Sequence, residues 1–163
     1  MTAAFTPQGA EFRAVHMTFL GANESTELIG LNPMGSANFL LGQDSSQWRT
    51  GLPTLQKILY SHLYSGIDLL YSGKNGRAKS EYTVAPGARP SDIRVQYSAN
   101  LSIDAVGRLH AADLIEDAPE IYQDTPSGRI TVAGRFRLFD SRTAGFEVDA
   151  YDASLPLVID PVI

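Results

Sequence analysis

Gly42 to Tyr71 reads GQDSSQWRTGLPTLQKILYSHLYSGIDLLY, and the fold class turns on it. Its middle, LQKILYSHLY over residues 55–64, fits two templates. As a short amphipathic helix it sets Leu55, Ile58, Leu59 and Leu63 on one face. As a strand it runs from Leu55 to Tyr60 and then turns. The neighbours on both sides read β, so the strand is preferred. Upstream, Asp44-Ser45-Ser46-Gln47-Trp48 has the look of a helix start, because Asp or Ser caps free amide groups. Gly51 and Pro53 follow too soon for more than one turn, so a loop or a single 3₁₀ turn is expected there.

Working outward, short β segments dominate. Residues 1–10 read as a loose lead-in broken by Pro7 and Gly9, and residues 11–163 as one domain. Glu11 to Leu20 reads as one strand. Glu27 to Leu31 and Ala37 to Leu41 read as two more, separated by a turn at Asn32-Pro33-Met34-Gly35. Ile67, Leu69 and Tyr71 begin a strand that ends at Gly73-Lys74-Asn75-Gly76. Asn-Gly tolerates positive φ at both central turn positions, so a hairpin into Lys79–Val84 is expected. Ala85 to Pro90 is a rigid connection, since two prolines fix φ. Asp104 to Gly107 and Thr125 to Gly128 suit type I turns between further strand pairs. Asp113 to Pro119 reads as an acidic crossing. Phe136, Phe146 and Val148 are expected inside on the strands that follow, and Leu155 to Ile159 closes the domain. The total is ten or eleven strands with turn signals every 8 to 12 residues. That pattern predicts an all-β fold, an antiparallel β-sandwich-like domain with hairpin connections. No fixed-period repeat is present.

Composition narrows the function classes. A chain of 163 residues buries a real core without staples. Hydrophobic content of 44% and charged content of 19% are globular values. The net charge of −5 argues against a general nucleic-acid binder, which needs a basic face to displace counterions. There is no cysteine, which excludes disulfides, thiol catalysis and thiolate zinc sites, and slightly favours an extracytoplasmic bacterial setting. No stretch approaches the roughly 20 apolar residues of a membrane helix. The first twenty residues lack a basic leader followed by an apolar run, so they do not read as a signal peptide.

Few constellations carry chemistry. His16, His62 and His110 lie far apart, with no partner at ligand spacing, and read as ordinary histidines. No G-x-S-x-G elbow and no Gly-rich phosphate loop is present. Glu147 and Asp149 share a strand face, and a straight strand does not supply the converging oxygens of a calcium site. A solvated face is the better reading, and Asp104 to Gly107 reads as a turn. No metal or cofactor is called for. The most suggestive pair is Trp48 with Arg49. With Tyr64 and other nearby tyrosines, they form a candidate surface for a glycan or a peptide if exposed together. The plainer reading has Trp48 plugging the end of the sandwich.

A string of spaced blocks resembles a known family. Gly42–Thr50, Leu52-Pro53-Thr54 and Tyr64–Gly73 carry the resemblance. So do Glu81-Tyr82, Val84–Ala88 with Pro90, Ile93-Arg94, Gly145–Val148, Ala150-Tyr151-Asp152 and Pro156–Pro161. Together they resemble the N-terminal domain of bacterial surface or secreted proteins that carry beta-propeller (SBBP) repeats. The similarity runs from about residue 12 to the end. It implies an all-β, extracytoplasmic module followed by propeller repeats, and it brings no catalytic residues. Such proteins begin with an export signal and continue past the Asp-Pro-Val block. The chain is therefore expected to be a fragment or a stand-alone module, with an exposed edge where further strands would pair.

Three functions follow as expectations. The first is a non-catalytic structural or interaction module whose partners are propeller repeats of the same parent or another surface protein. The second is a carbohydrate- or peptide-binding module built on Trp48, Arg49 and Tyr64. The third and weakest is a hydrolase domain.

Overall fold

The computed structural model describes residues 3–39, 49–74 and 77–163. Among these, sixteen strands form three antiparallel sheets, and the 3₁₀ turn Pro90–Asp92 is the one helical element. The all-β, sandwich-like class read from the sequence is the observed one.

The first sheet has six strands. They are β1 (Ala3–Thr6), β2 (Gly9–Phe12), β3 (Val15–Phe19), β8 (Val95–Tyr97), β14 (Gly134–Leu138) and β15 (Thr143–Val148), in the order β1-β2-β3-β8-β15-β14. The second has seven: β4 (Glu27–Phe39), β5 (Arg49–Tyr64), β6 (Ile67–Lys74), β7 (Arg77–Val84), β12 (Glu120–Thr125), β13 (Gly128–Thr131) and β16 (Leu157–Asp160). Their order is β13-β12-β16-β7-β6-β5-β4. A small third sheet of β9 (Leu101–Ile103), β10 (Leu109–Ala111) and β11 (Leu114–Glu116) adds Leu109, Ala111 and Leu114 to the same core.

The alternation that builds a strand also decides which face is buried. In VHMTF of β3, Val15, Met17 and Phe19 are buried while His16 and Thr18 face out. Across the interface, Tyr60, Leu69, Tyr71, Tyr82, Val84, Leu157 and Ile159 meet them from the second sheet. Aromatic pairs stitch the layers together. Phe19 meets Tyr60 edge-on at 5.2 Å, and Tyr82 meets Phe146 at 5.5 Å. The Tyr60 hydroxyl crosses the layer to donate to the Gly9 carbonyl at 2.8 Å.

Several boundaries differ from the sequence reading. Residues 3–10, expected as a lead-in, form β1 and the start of β2, because Pro7-Gln8 is a tight turn that pairs Thr6 with Gly9. The single strand expected over Glu11–Leu20 is two strands, broken where Arg13 takes φ 58°. The turn expected at Asn32–Gly35 is a bulged stretch of one long strand, β4, with Asn32 at φ 53° and a register shift between Pro33 and Gly35. The strand alternative holds for residues 55–64 and continues to Tyr64 without the turn expected after Tyr60. In its place is a bulge at His62, φ 55°. The bulge's backbone groups stay satisfied, because Asp68 Oδ1 accepts from the His62 amide at 2.7 Å and Asn23 Nδ2 donates to the His62 carbonyl at 2.8 Å. The acidic crossing at Asp113–Pro119 contains β11. The turn expected at Asp44–Trp48 and the Asn75-Gly76 pair lie outside the described residues, although Lys74 pairs with Arg77 on either side of the latter.

Residues 49–56 of β5 have β4 as their partner in the ladder, since pairing with β6 begins at Lys57. The β4–β5 hairpin thus extends past the sheet as a two-stranded ribbon. At the chain's end, β16 lies between β12 and β7, Val162 bridges to Lys79, and the Ile163 amide donates to the Ala78 carbonyl at 2.7 Å. The end is thus held beside β7, and the open edges of this sheet among the described residues are β13 and β4.

Candidate functional site

A cleft of about 300 Å³ opens where edge strand β1 meets β5, β6 and β7. Its floor is aromatic, because alternation on β1, β2 and β6 points Phe5, Phe12 and Tyr71 inward together. Phe5 meets Phe12 edge-on at 5.7 Å, and both rings lie against Tyr71, at 5.2 Å and 5.3 Å. Ile58 and Ala78 continue the apolar lining, and Leu55, Lys57 and Arg77 stand at the rim. Arg77 is held there by Asp117 at 2.7 Å. An apolar floor with a cationic rim suits an apolar side chain whose own backbone carbonyls or carboxylate meet Lys57 and Arg77. Ser72 is the one side-chain hydroxyl in the lining besides Tyr71, and no histidine or carboxylate lines it among the described residues. A serine without an adjacent base is a poor nucleophile.

Beneath the aromatic layer lies a polar knot. Glu116 of β11 is 4% exposed, and its Oε1 accepts from the Tyr97 hydroxyl at 2.6 Å. Burial pushes the Glu116 carboxyl up to about 7, and the Tyr97 hydrogen bond offsets part of that rise. The Tyr71 hydroxyl is buried with no hydrogen-bond partner among the described residues. An unmet buried hydroxyl costs about 1–3 kcal/mol. Tyr71→Phe is therefore expected to leave stability unchanged or raise it by about 1 kcal/mol, as read from urea unfolding. A loss above 1 kcal/mol would show that the hydroxyl has a partner.

The residues singled out in the sequence have separate fates. Trp48 lies outside the described residues. Arg49 begins β5, paired with Phe39 in the ribbon. Tyr64 is 3% exposed, which corrects the expectation of an exposed ring. Its hydroxyl donates to the Arg94 carbonyl at 2.9 Å and accepts from the Arg94 amide at 3.3 Å. Burial pushes this phenol up to about 12, so it works as a clamp between β5 and the segment before β8. Among the described residues no three His, Cys, Asp or Glu side chains gather as a metal site. His16 lies 3.3 Å from Glu11, His110 lies 2.9 Å from Asp104, and His62 Nδ1 lies 2.9 Å from the Ser61 hydroxyl. Glu147 faces solvent and pairs with Arg135. Asp104 is a turn residue: its carboxylate accepts from the amides of Val106 and Arg108. The His110 contact and the Arg108 amide hold it well below the usual carboxylate range.

Sequence reasoning missed both the cleft and the knot. The alternation of Phe5, Phe12 and Tyr71 was present, but strands distant in the chain bring them together. The signal available for Glu116 was the flanking pattern Leu114-Ile115-Glu116, in which an acid takes the inward place of an alternating triplet.

These features define a class: a β-sandwich module with an aromatic-floored cleft between its layers. The chain matches the family model described as "Domain of unknown function (DUF7948)" over residues 2–162, so it belongs to that family. No curated protein and no solved structure matches it.

Proposed function

We propose that this domain is a non-catalytic interaction module of a bacterial extracytoplasmic or cell-surface protein with beta-propeller repeats. Its cleft would seat an apolar segment of a neighbouring repeat or of another surface protein. The observation that carries the reading is the cleft itself: at the mouth of the sandwich half-buried Phe5 covers buried Phe12 and Tyr71 as an apolar floor, and no acid–base pair lines it among the described residues. The spaced blocks from Gly42 to Pro161 support the choice of partner. A binding face built on Trp48, Arg49 and Tyr64 is less well supported, since Tyr64 is buried and bonded to backbone.

The test is a titration of isotope-labelled domain with a purified SBBP-type repeat segment, followed by amide shifts. Shifts are expected at Phe5, Ile58, Ser72 and Ala78. Leu55→Asp, at the partly exposed rim, should weaken binding about tenfold, with a melting curve to show that the variant is folded. Shifts confined to another face, or none, would overturn the partner. Turnover of chromogenic ester, glycoside or peptide substrates that survives rigorous purification would overturn the non-catalytic reading.

A further inference from the structure

On the outer face of the six-stranded sheet, two arginines share one aromatic ring. The Arg94 guanidinium carbon lies 4.1 Å from the centroid of Phe139, and that of Arg137 lies 5.1 Å from it. Phe139 is seated by Gly145, which pairs with Arg137. A Cβ at Gly145 would meet the Ile93 carbonyl oxygen at 2.3 Å and the Phe139 ring at 2.9 Å, so the missing side chain makes room for the stack.

Two nearby cations are neutralised, Arg89 by Asp92 and Arg135 by Glu147, and Arg142, in the turn after Phe139, donates to the Asn100 amide oxygen. Arg94 and Arg137 have no carboxylate within 4.0 Å among the described residues. In a chain of net charge −5, two uncompensated guanidiniums on one ring are an exception. Arg94 is also fixed from behind. Its carbonyl accepts from the Leu20 amide at 2.9 Å and from the Tyr64 hydroxyl, and its amide donates to that hydroxyl. Stacking and tethering together remove much of the entropy that an arginine otherwise loses on binding. From Arg94 an open groove runs past Ser91, Arg89, Asp92, Ser65 and Asn23.

We propose that Arg94 and Arg137 bind the acidic groups, carboxylate or sulfate, of an anionic polysaccharide, with the groove hydroxyls and amide meeting its sugar hydroxyls. Planar guanidiniums hold such groups with paired N–H donors. A glycan fits better than an acidic peptide. The groove beyond Arg94 offers the Ser91 and Ser65 hydroxyls and the Asn23 amide, which suit sugar hydroxyls, whereas a peptide adding a strand would pair with β14, the edge strand that carries Arg137. This site is separate from the cleft and does not rest on its proposed role.

The experiment titrates the intact chain with oligogalacturonate, a heparin-derived oligosaccharide, a neutral cello-oligosaccharide and poly-L-glutamate, and follows the arginine Nε–H and amide signals. Shifts at Arg94 and Arg137 with an acidic glycan are expected, and the first two probes distinguish carboxylate from sulfate. Arg94→Gln and Arg137→Gln should each weaken binding about tenfold. Arg94→Lys should weaken it nearly as much, because a lysine keeps the charge and loses the plane. Arg135→Gln, on the same strand but already paired with Glu147, should leave binding unchanged. Melting curves of all four variants confirm that they are folded. Equal binding of the neutral glycan, tighter binding of poly-L-glutamate, an Arg135→Gln loss matching Arg94→Gln, or no shift with either acidic glycan would each overturn the proposal.

Discussion

Phe12→Ala is expected to lower the unfolding free energy by about 3–5 kcal/mol. The ring is fully buried and wedged between Phe5 and Tyr71 at the junction of the two large sheets. Deleting it removes its transfer energy and leaves a void that few neighbours can fill. Arg13, next in the chain, takes φ 58° in the turn between β2 and β3. Tyr71 is held from the other side by Tyr60 at 6.0 Å. Domains of this kind have about 5–15 kcal/mol in total, so the variant should unfold at much lower urea with an unchanged slope. It should also bind more of an apolar dye, because the void opens into the cleft. A loss under about 1 kcal/mol would mean that the aromatic floor is loosely packed and that the cleft is not preformed.

The second large effect depends on pH. Burial pushes the Glu116 carboxyl up to about 7 from its ordinary value of 4.5, so the folded protein holds this proton more tightly than the unfolded chain does. The resulting stability is fully present below about pH 4.5 and is lost as pH rises through about 7. Keeping the carboxylate ionised in the core at pH 8 costs about 3 kcal/mol. Glu116→Gln retains an acceptor for the Tyr97 hydroxyl and removes the charge. It is expected to match the parent near pH 5 and to exceed it by about 3 kcal/mol at pH 8. The facing groups do not blur this window. Tyr97, Tyr71 and Tyr82 are all pushed well above the ordinary phenol value, mainly by burial, and stay protonated throughout. Asp160 adds a smaller drift of the same sign, since its burial also raises it. Parallel stability–pH curves for parent and variant from pH 5 to 8 would show that Glu116 does not titrate in the core.

The sequence was most legible where one strand's own pattern sufficed. Val15-His16-Met17-Thr18-Phe19 alternates cleanly and is a strand with its expected face buried. Asp104–Gly107 and Thr125–Gly128 carry turn chemistry that needs no distant partner, and both turns occur between paired strands. Reading failed where a partner strand overrode a local breaker. Pro7 and Gly9 suggested a loose start, yet β2 and β3 give residues 3–6 a ladder to join. Asn32 and Pro33 suggested a turn, but β5 runs alongside and absorbs them as a bulge. The candidate sites were the least legible, because each is assembled from strands distant in the chain. Phe5 and Tyr71 are far apart in the chain, as are Arg94 and Arg137. The chemistry expected of Tyr64 was lost to a backbone contact thirty positions away, which no local pattern announces.

The place of β16 between β12 and β7 has a kinetic consequence. The strands that complete the two large sheets, β15 and β16, are among the last to be made, and their partners precede them by up to roughly half the chain. During synthesis, β4 to β7 can pair in sequence as a meander, but β7 must wait as an unsatisfied edge until Leu157–Asp160 emerges. Non-local closure of this kind is slow, because the entropy of a long loop is lost before any contact repays it. The nascent domain therefore passes through an interval with an open β7 edge, in which pairing with another nascent chain competes with its own completion.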